Sequence, residues 1–294
     1  MYKIIMKYVS VIFVLFLCFT SVHGQSQSVI DHSKTVKSQV LKSNVKYSIY
    51  LPAGYGSSDK TYPVVYLLHP AGPANTIPNN ESWFSYGQLK SYLDDAIMKG
   101  SIVPMVVVTP DANFGTKRIS YFNDPTGDFS FEDFFFQEFV PYIEKNYRVN
   151  KNTISKAIAG ASLGGAAALQ YAIHQPDAFG TVVALSAAVR GYVPEYLKNR
   201  YPDVNKEILK KWYEKYDVVG YFDHQQKNDI KNQKWFITCG DDDALSVHNA
   251  KLHIAMADKK IKHEFRIYDG AHDWMYWKKV TPEFFEFIST HLKE

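Results

Sequence analysis

The chain has 294 residues, 46% of them hydrophobic and 15% aromatic, with 33 Lys and Arg against 30 Asp and Glu. That is apolar material for one large domain, and a formal charge of +3 gives no electrostatic case for nucleic acid or an acidic surface as partner. Two cysteines in so long a chain exclude a disulfide scaffold, and the His and Cys spacing offers no zinc signature.

In chain order, the first segment reads as an export signal. Lys3 and Lys7 precede an apolar stretch from Val9 to Phe19, and Val22-His23-Gly24 is a small-residue cleavage pattern before Gln25. The stretch is shorter than the roughly 20 residues of a membrane span, and no later run reaches that length. The expected division is a signal peptide over 1–24, a flexible Ser/Gln-rich leader over 25–35, and a single domain over 36–294. Cys239 would then be the only remaining cysteine, predicted as a buried strand thiol.

Val36 to Leu51 alternates around Ser43-Asn44 like an antiparallel hairpin at a sheet edge. Short apolar strands are then predicted at 64–68, 105–109, 156–160, 182–186, 235–239 and 263–268, alternating with helices at 86–99, 132–147, 164–174, 246–260 and 282–292. Pro141 implies a kink or a later start in the second helix. This is an α/β class pattern, a doubly wound, mostly parallel sheet with an antiparallel N-terminal edge. Residues 111–131 and a cap-like insertion at 188–234 break the alternation; both are rich in aromatic residues, most of which are expected to pack on the body. Asp124-Pro125-Thr126-Gly127-Asp128 reads as a turn, and no metal site is expected.

Chemistry concentrates at three strand ends. Gly160-Ala161-Ser162-Leu163-Gly164 joins a predicted strand to a predicted helix, the setting in which G-x-S-x-G exposes a serine on a sharp turn. Alone, it also fits a Gly-rich turn with a passive serine. Downstream, the strand at 235–239 runs into Gly240-Asp241-Asp242-Asp243, and that at 263–268 into Asp269-Gly270-Ala271-His272. Serine, acid and histidine thus stand in the order expected of an α/β-hydrolase triad. Serine needs a base to take its proton, and the base needs a carboxylate to fix its tautomer. Asp241 and Asp242 fit a solvated turn or a helix cap; Asp243 is the favoured acid. Oxyanion donors are expected at the backbone N–H groups of Leu163, which follows the nucleophile, and Ala71, because Pro70 has none. His69 is expected to anchor that loop. Substrate contacts are expected at Trp83, Tyr121 and Trp274.

The runs Tyr50-Leu51-Pro52-Ala53-Gly54-Tyr55, Tyr62 to His69, Ala157 to Gly165 and Gly270-Ala271-His272-Asp273-Trp274 resemble a group of α/β-hydrolase esterases. The group takes in feruloyl and acetylxylan esterases of the family-one carbohydrate esterases, enterochelin esterases, S-formylglutathione hydrolases and mycolyltransferases. Gly240-x-x-Asp243-x-Leu245 is similar to its acid loop, which supports Asp243. The group usually shows His-Gly where this chain has His69-Pro70, which leaves the geometry of the oxyanion loop open. The resemblance implies a serine esterase that needs no cofactor; with the export signal, which makes it secreted or periplasmic, it points to feruloylated or acetylated plant polysaccharide as substrate, feruloyl groups ahead of acetyl because the 111–131 and 188–234 segments are rich in aromatic residues. An acyltransferase and a noncatalytic polysaccharide-binding protein are the alternatives.

Overall fold

The computed structural model describes residues 27–72, 77–114, 120–189, 195–224, 230 and 232–292. Its frame is one eight-stranded sheet, β1 Val29–Ser38, β2 Ser43–Leu51, β3 Val64–Leu68, β4 Val106–Pro110, β5 Lys156–Ala161, β6 Thr181–Leu185, β7 Lys234–Gly240 and β8 Glu264–Tyr268. The spatial order is β1-β2-β4-β3-β5-β6-β7-β8; β1, β2 and β4 pair antiparallel, and every pair from β4 through β8 is parallel.

Strands β3 to β6 are buried along their whole length, so their continuous Val, Ile, Leu and Ala runs serve two faces at once. Alternate residues feed two cores. Tyr66, Val108, Ile158 and Ile237 join one, and Val65, Val107, Ala159 and Phe236 the other. Ten helices flank the sheet among the described residues: α1 Ser82–Ser85, α2 Leu89–Met98, α3 Phe131–Phe134, α4 Val140–Asn146, α5 Leu163–His174, α6 Glu195–Arg200, α7 Lys206–Lys215, α8 Val218–His224, α9 Ser246–Asp258 and α10 Trp274–His291. Helices α2 and α10 lie on the second face; α3, α5 and α9 lie on the first. None is long and apolar enough to cross a membrane. The expected signal peptide lies outside the described residues.

Three expectations are corrected. From Val29 the supposed leader is strand, with Val29 opposite Leu51 and Ile30 opposite Tyr50. The hairpin turns at 39–42, not at Ser43-Asn44, because Glu138 accepts the Gln39 N–H at 2.8 Å and the Ser38 hydroxyl, while the Leu41 N–H donates to Ser38 Oγ at 2.8 Å. Pro141 stands as expected at a later helix start, the second residue of α4, with a wide π-helical turn over Phe135–Phe139 leading into it. The last helix starts eight residues early, where Asp273 accepts the Tyr276 N–H at 2.9 Å as its N-cap, and Pro282 sits inside it.

Candidate active site

Ser162 stands between β5 and α5 at φ +56° and ψ −119°, strained for a residue with a side chain. Its two motif glycines are steric necessities. A Cβ on Gly160 would lie 2.3 Å from the Gly164 carbonyl oxygen, and one on Gly164 would lie 2.6 Å from the carbonyl oxygens of Leu68 and His69. The turn is therefore packed directly against the loop that leaves β3. Ser162 N–H donates to Leu185 O at 2.8 Å, and Ala188 N–H to Ser162 O at 2.9 Å, which ties the turn to the end of β6.

His272 reaches Ser162 from the loop after β8. Its Nε2 lies 2.9 Å from Ser162 Oγ and its Nδ1 lies 2.8 Å from Asp243 Oδ2. With Nδ1–H donating to the carboxylate, Nε2 is left to accept the serine proton. Asp243 is 2% exposed, and its Oδ1 accepts the Leu245 N–H at 2.8 Å. Burial alone would raise its pKa, but hydrogen bonds from His272 and the Leu245 amide outweigh it and hold the carboxyl below its ordinary range. The neighbouring aspartates are exposed and face elsewhere. Asp241 Oδ1 accepts the Gly270 N–H at 3.0 Å, so it latches the acid loop to the histidine loop.

The two loops also touch through backbone, since a Cβ on Gly240 would lie 2.0 Å from the Gly270 oxygen. Cys239 is buried beside this contact, its thiol pushed up to about 12 by desolvation and the Asp243 charge.

Leu163 opens α5, where the first backbone N–H groups lack helical partners. Ala71 lies exposed on the loop packed against that turn. His69 anchors the loop from beneath. Its Nδ1 meets Pro70 O at 2.8 Å and its Nε2 accepts the Ala112 N–H at 2.9 Å, which fixes the neutral Nδ1–H tautomer. Burial pushes its pKa down to about 4, in keeping with that state.

Two of the three expected substrate residues are misplaced for contact. Trp83 and Tyr121 are fully buried; Trp83 Nε1–H donates to Leu68 O at 3.1 Å and Tyr121 O–H to His69 O at 3.0 Å, so both brace the loop after β3 from behind. Trp274 is half-buried, two residues past His272. Its ring leans on Tyr86 at 5.7 Å, and Tyr86 is 41% exposed. Tyr86, not singled out in the sequence, stands directly after α1, three positions beyond Trp83.

The cap aromatics mostly pack inward. Trp212 Nε1–H donates to Asn123 O at 2.5 Å, Tyr216 O–H to Glu132 at 2.8 Å, and Phe222 lies against Trp235. Tyr192 lies outside the described residues.

Residues 38–285 match the Esterase family, described as "Putative esterase". A solved ferulic acid esterase is 33% identical, with a TM-score of 0.79 over 90% of this chain and 99% of that one. An S-formylglutathione hydrolase of Staphylococcus aureus shares the fold at 20% identity and a TM-score of 0.70, over 90% of this chain and all of that one. Among curated proteins, an endo-1,4-beta-xylanase/feruloyl esterase of Xylanibacter ruminicola is 32% identical over 60% of this chain. An acetyl esterase of Caldicellulosiruptor saccharolyticus is 24% identical over 58% of this chain and 67% of its own length. The match spans 23% of the xylanase/feruloyl esterase and 26% of an esterase of Mycobacterium tuberculosis, so this chain corresponds to about a quarter of each.

Proposed function

Because the chain belongs to the Esterase family of α/β-hydrolases, we propose that it is a serine carboxylesterase acting on esters of plant polysaccharide, with feruloyl esters as its preferred substrates. One observation carries the chemistry, the unbroken line from Ser162 Oγ through His272 to the buried Asp243 carboxylate at 2.9 and 2.8 Å. Ser162 attacks the ester carbonyl carbon while His272 Nε2 takes its proton. The oxyanion is held by the N–H groups of Leu163 and Ala71. Collapse expels the alcohol, which receives the proton from His272, and leaves an acyl-serine. Water, deprotonated by His272, then attacks the acyl carbon and releases the acid and the free serine. Asp243 stays ionised and stabilises the imidazolium in both halves.

The feruloyl preference is supported by the 33% identical ferulic acid esterase and by the Trp274–Tyr86 pair beside the histidine loop. We read residues 1–24 as an export signal, in keeping with a polymeric substrate outside the cell. The test is a side-by-side assay of methyl ferulate and acetylated xylan. Two ring contacts at roughly 0.5–1.5 kcal/mol each favour the feruloyl ester by about 5- to 150-fold in kcat/KM. Equal or faster turnover of the acetyl ester moves the assignment to an acetyl esterase, the activity named for the Caldicellulosiruptor relative.

A further inference from the structure

The segment leaving β3 gives three successive carbonyl oxygens to side-chain donors. Trp83 Nε1–H donates to Leu68 O at 3.1 Å, Tyr121 O–H to His69 O at 3.0 Å, and His69 Nδ1–H to Pro70 O at 2.8 Å, all in buried contacts. Tyr121 is held at φ +72° to do so, a strained backbone for a residue with a ring. The same segment packs on the serine turn, with the Leu68 and His69 oxygens against Gly164.

Pro70 makes the last of these contacts decisive. Its ring locks φ at about −65°, so the plane of the Pro70–Ala71 peptide is free to turn about one bond only, ψ of Pro70. In a planar trans peptide the C=O and the following N–H point in opposite directions. By drawing the Pro70 oxygen inward, His69 therefore turns the Ala71 N–H towards the exposed side of the loop, where it donates to no other described residue. The imidazole is itself fixed. Ala112 N–H donates to its Nε2 at 2.9 Å, which leaves Nδ1 as the donor, and Asp111 Oδ1, 3.9 Å from Nε2, is out of hydrogen-bond reach.

We propose that His69 is a positioning residue for the oxyanion hole: its Nδ1–H holds the Pro70 carbonyl so that the Ala71 N–H is aimed at the ester oxygen as Ser162 attacks the carbonyl carbon. The proposal rests on the esterase reading above and deepens it. His69 is buried beneath the loop, so its effect on the chemistry passes through the Ala71 N–H. A donor aimed at the developing oxyanion lowers the barrier without tightening substrate binding. The two ring nitrogens thus have separable tasks: Nδ1 orients the donor, and Nε2 ties the loop after β3 to the loop after β4.

The test separates those tasks. Asn places an amide N–H where Nδ1–H stands, and Gln places an amide oxygen where Nε2 stands, so His69→Asn retains the bond to Pro70 O and His69→Gln the bond from Ala112 N–H. Kinetics on an activated ester, inhibition by a trifluoromethyl ketone that forms an oxyanion on Ser162, thermal midpoints and fluorophosphonate labelling of Ser162 are measured for both variants and the wild type. His69→Gln is expected to keep KM within about twofold and lose roughly 100-fold in kcat, the low end of what one oxyanion donor contributes, with a parallel loss of affinity for the ketone. His69→Asn is expected to melt at a lower temperature and to recover kcat to within about fivefold of wild type. Each variant decides by itself. Wild-type kcat or unchanged ketone affinity in His69→Gln overturns the proposal, as does a loss confined to stability or KM, or a kcat loss in His69→Asn as deep as that expected of His69→Gln. Failure of wild-type Ser162 to label instead sinks the esterase reading.

Discussion

Three adjacent aspartates show how environment divides identical side chains. Asp243 is buried with convergent donors, whereas Asp241 and Asp242 are exposed and Asp241 serves the backbone of the facing loop. Asp243→Asn is therefore expected to cost on the order of 10⁴ in kcat by presenting His272 with the wrong tautomer. Asp241→Ala should leave kcat within a few-fold and lower stability by about 1 kcal/mol through the lost Gly270 hydrogen bond. Steady-state kinetics and denaturant melts of the two variants check this, and a dominant kinetic loss at Asp241 would contradict it. Ser162, Asp243 and His272 were legible in the sequence because each follows a recognisable strand at a fixed short distance. Trp83 and Tyr121 were misread because nothing local distinguishes a ring that lines a cleft from one that braces a loop from behind.

At the scale of elements, the glycines of the serine turn set how closely α5 approaches the loop after β3. Gly164→Ala would press a methyl group to 2.6 Å from two backbone carbonyl oxygens that cannot swing aside as a side chain would. The expected outcome is a stability loss of about 1–3 kcal/mol, with kcat reduced more than KM is raised, because the Ala71 segment is displaced from the nucleophile. Near wild-type kcat in a well-folded Gly164→Ala protein would contradict this packing. Each of the six strands predicted from 64–68 onward was legible to within a residue or two from its apolar run. The N-terminal hairpin was not, because its turn is set by the Glu138 carboxylate, 99 positions from Gln39. The early start of α10 was recoverable from Asp273, a favoured N-cap type, followed by the helical spacing of Tyr276, Trp277, Val280 and Phe284.

For the whole molecule, burial of neutral His69 makes stability depend on pH. Its pKa is pushed from an ordinary 6.5 to about 4 by desolvation. The unfolded chain therefore binds this proton first, and stability falls as pH drops from 6.5 towards 4, by up to about 3 kcal/mol. His263, also lowered mainly by burial, adds to the same slope. Denaturant midpoints measured across that window should decline with acidity, and His69→Gln should flatten the decline; an unchanged slope in the variant would contradict the assignment.

The central claim is that one serine, activated through His272 and Asp243, carries the acyl group. Intact-mass and peptide mapping after treatment with an alkyl fluorophosphonate tests it most directly. A single adduct on Ser162, lost in Ser162→Ala together with ester hydrolysis while the melting temperature holds, is the expected result. An adduct on another residue, or ester hydrolysis at wild-type rate by Ser162→Ala, would contradict it.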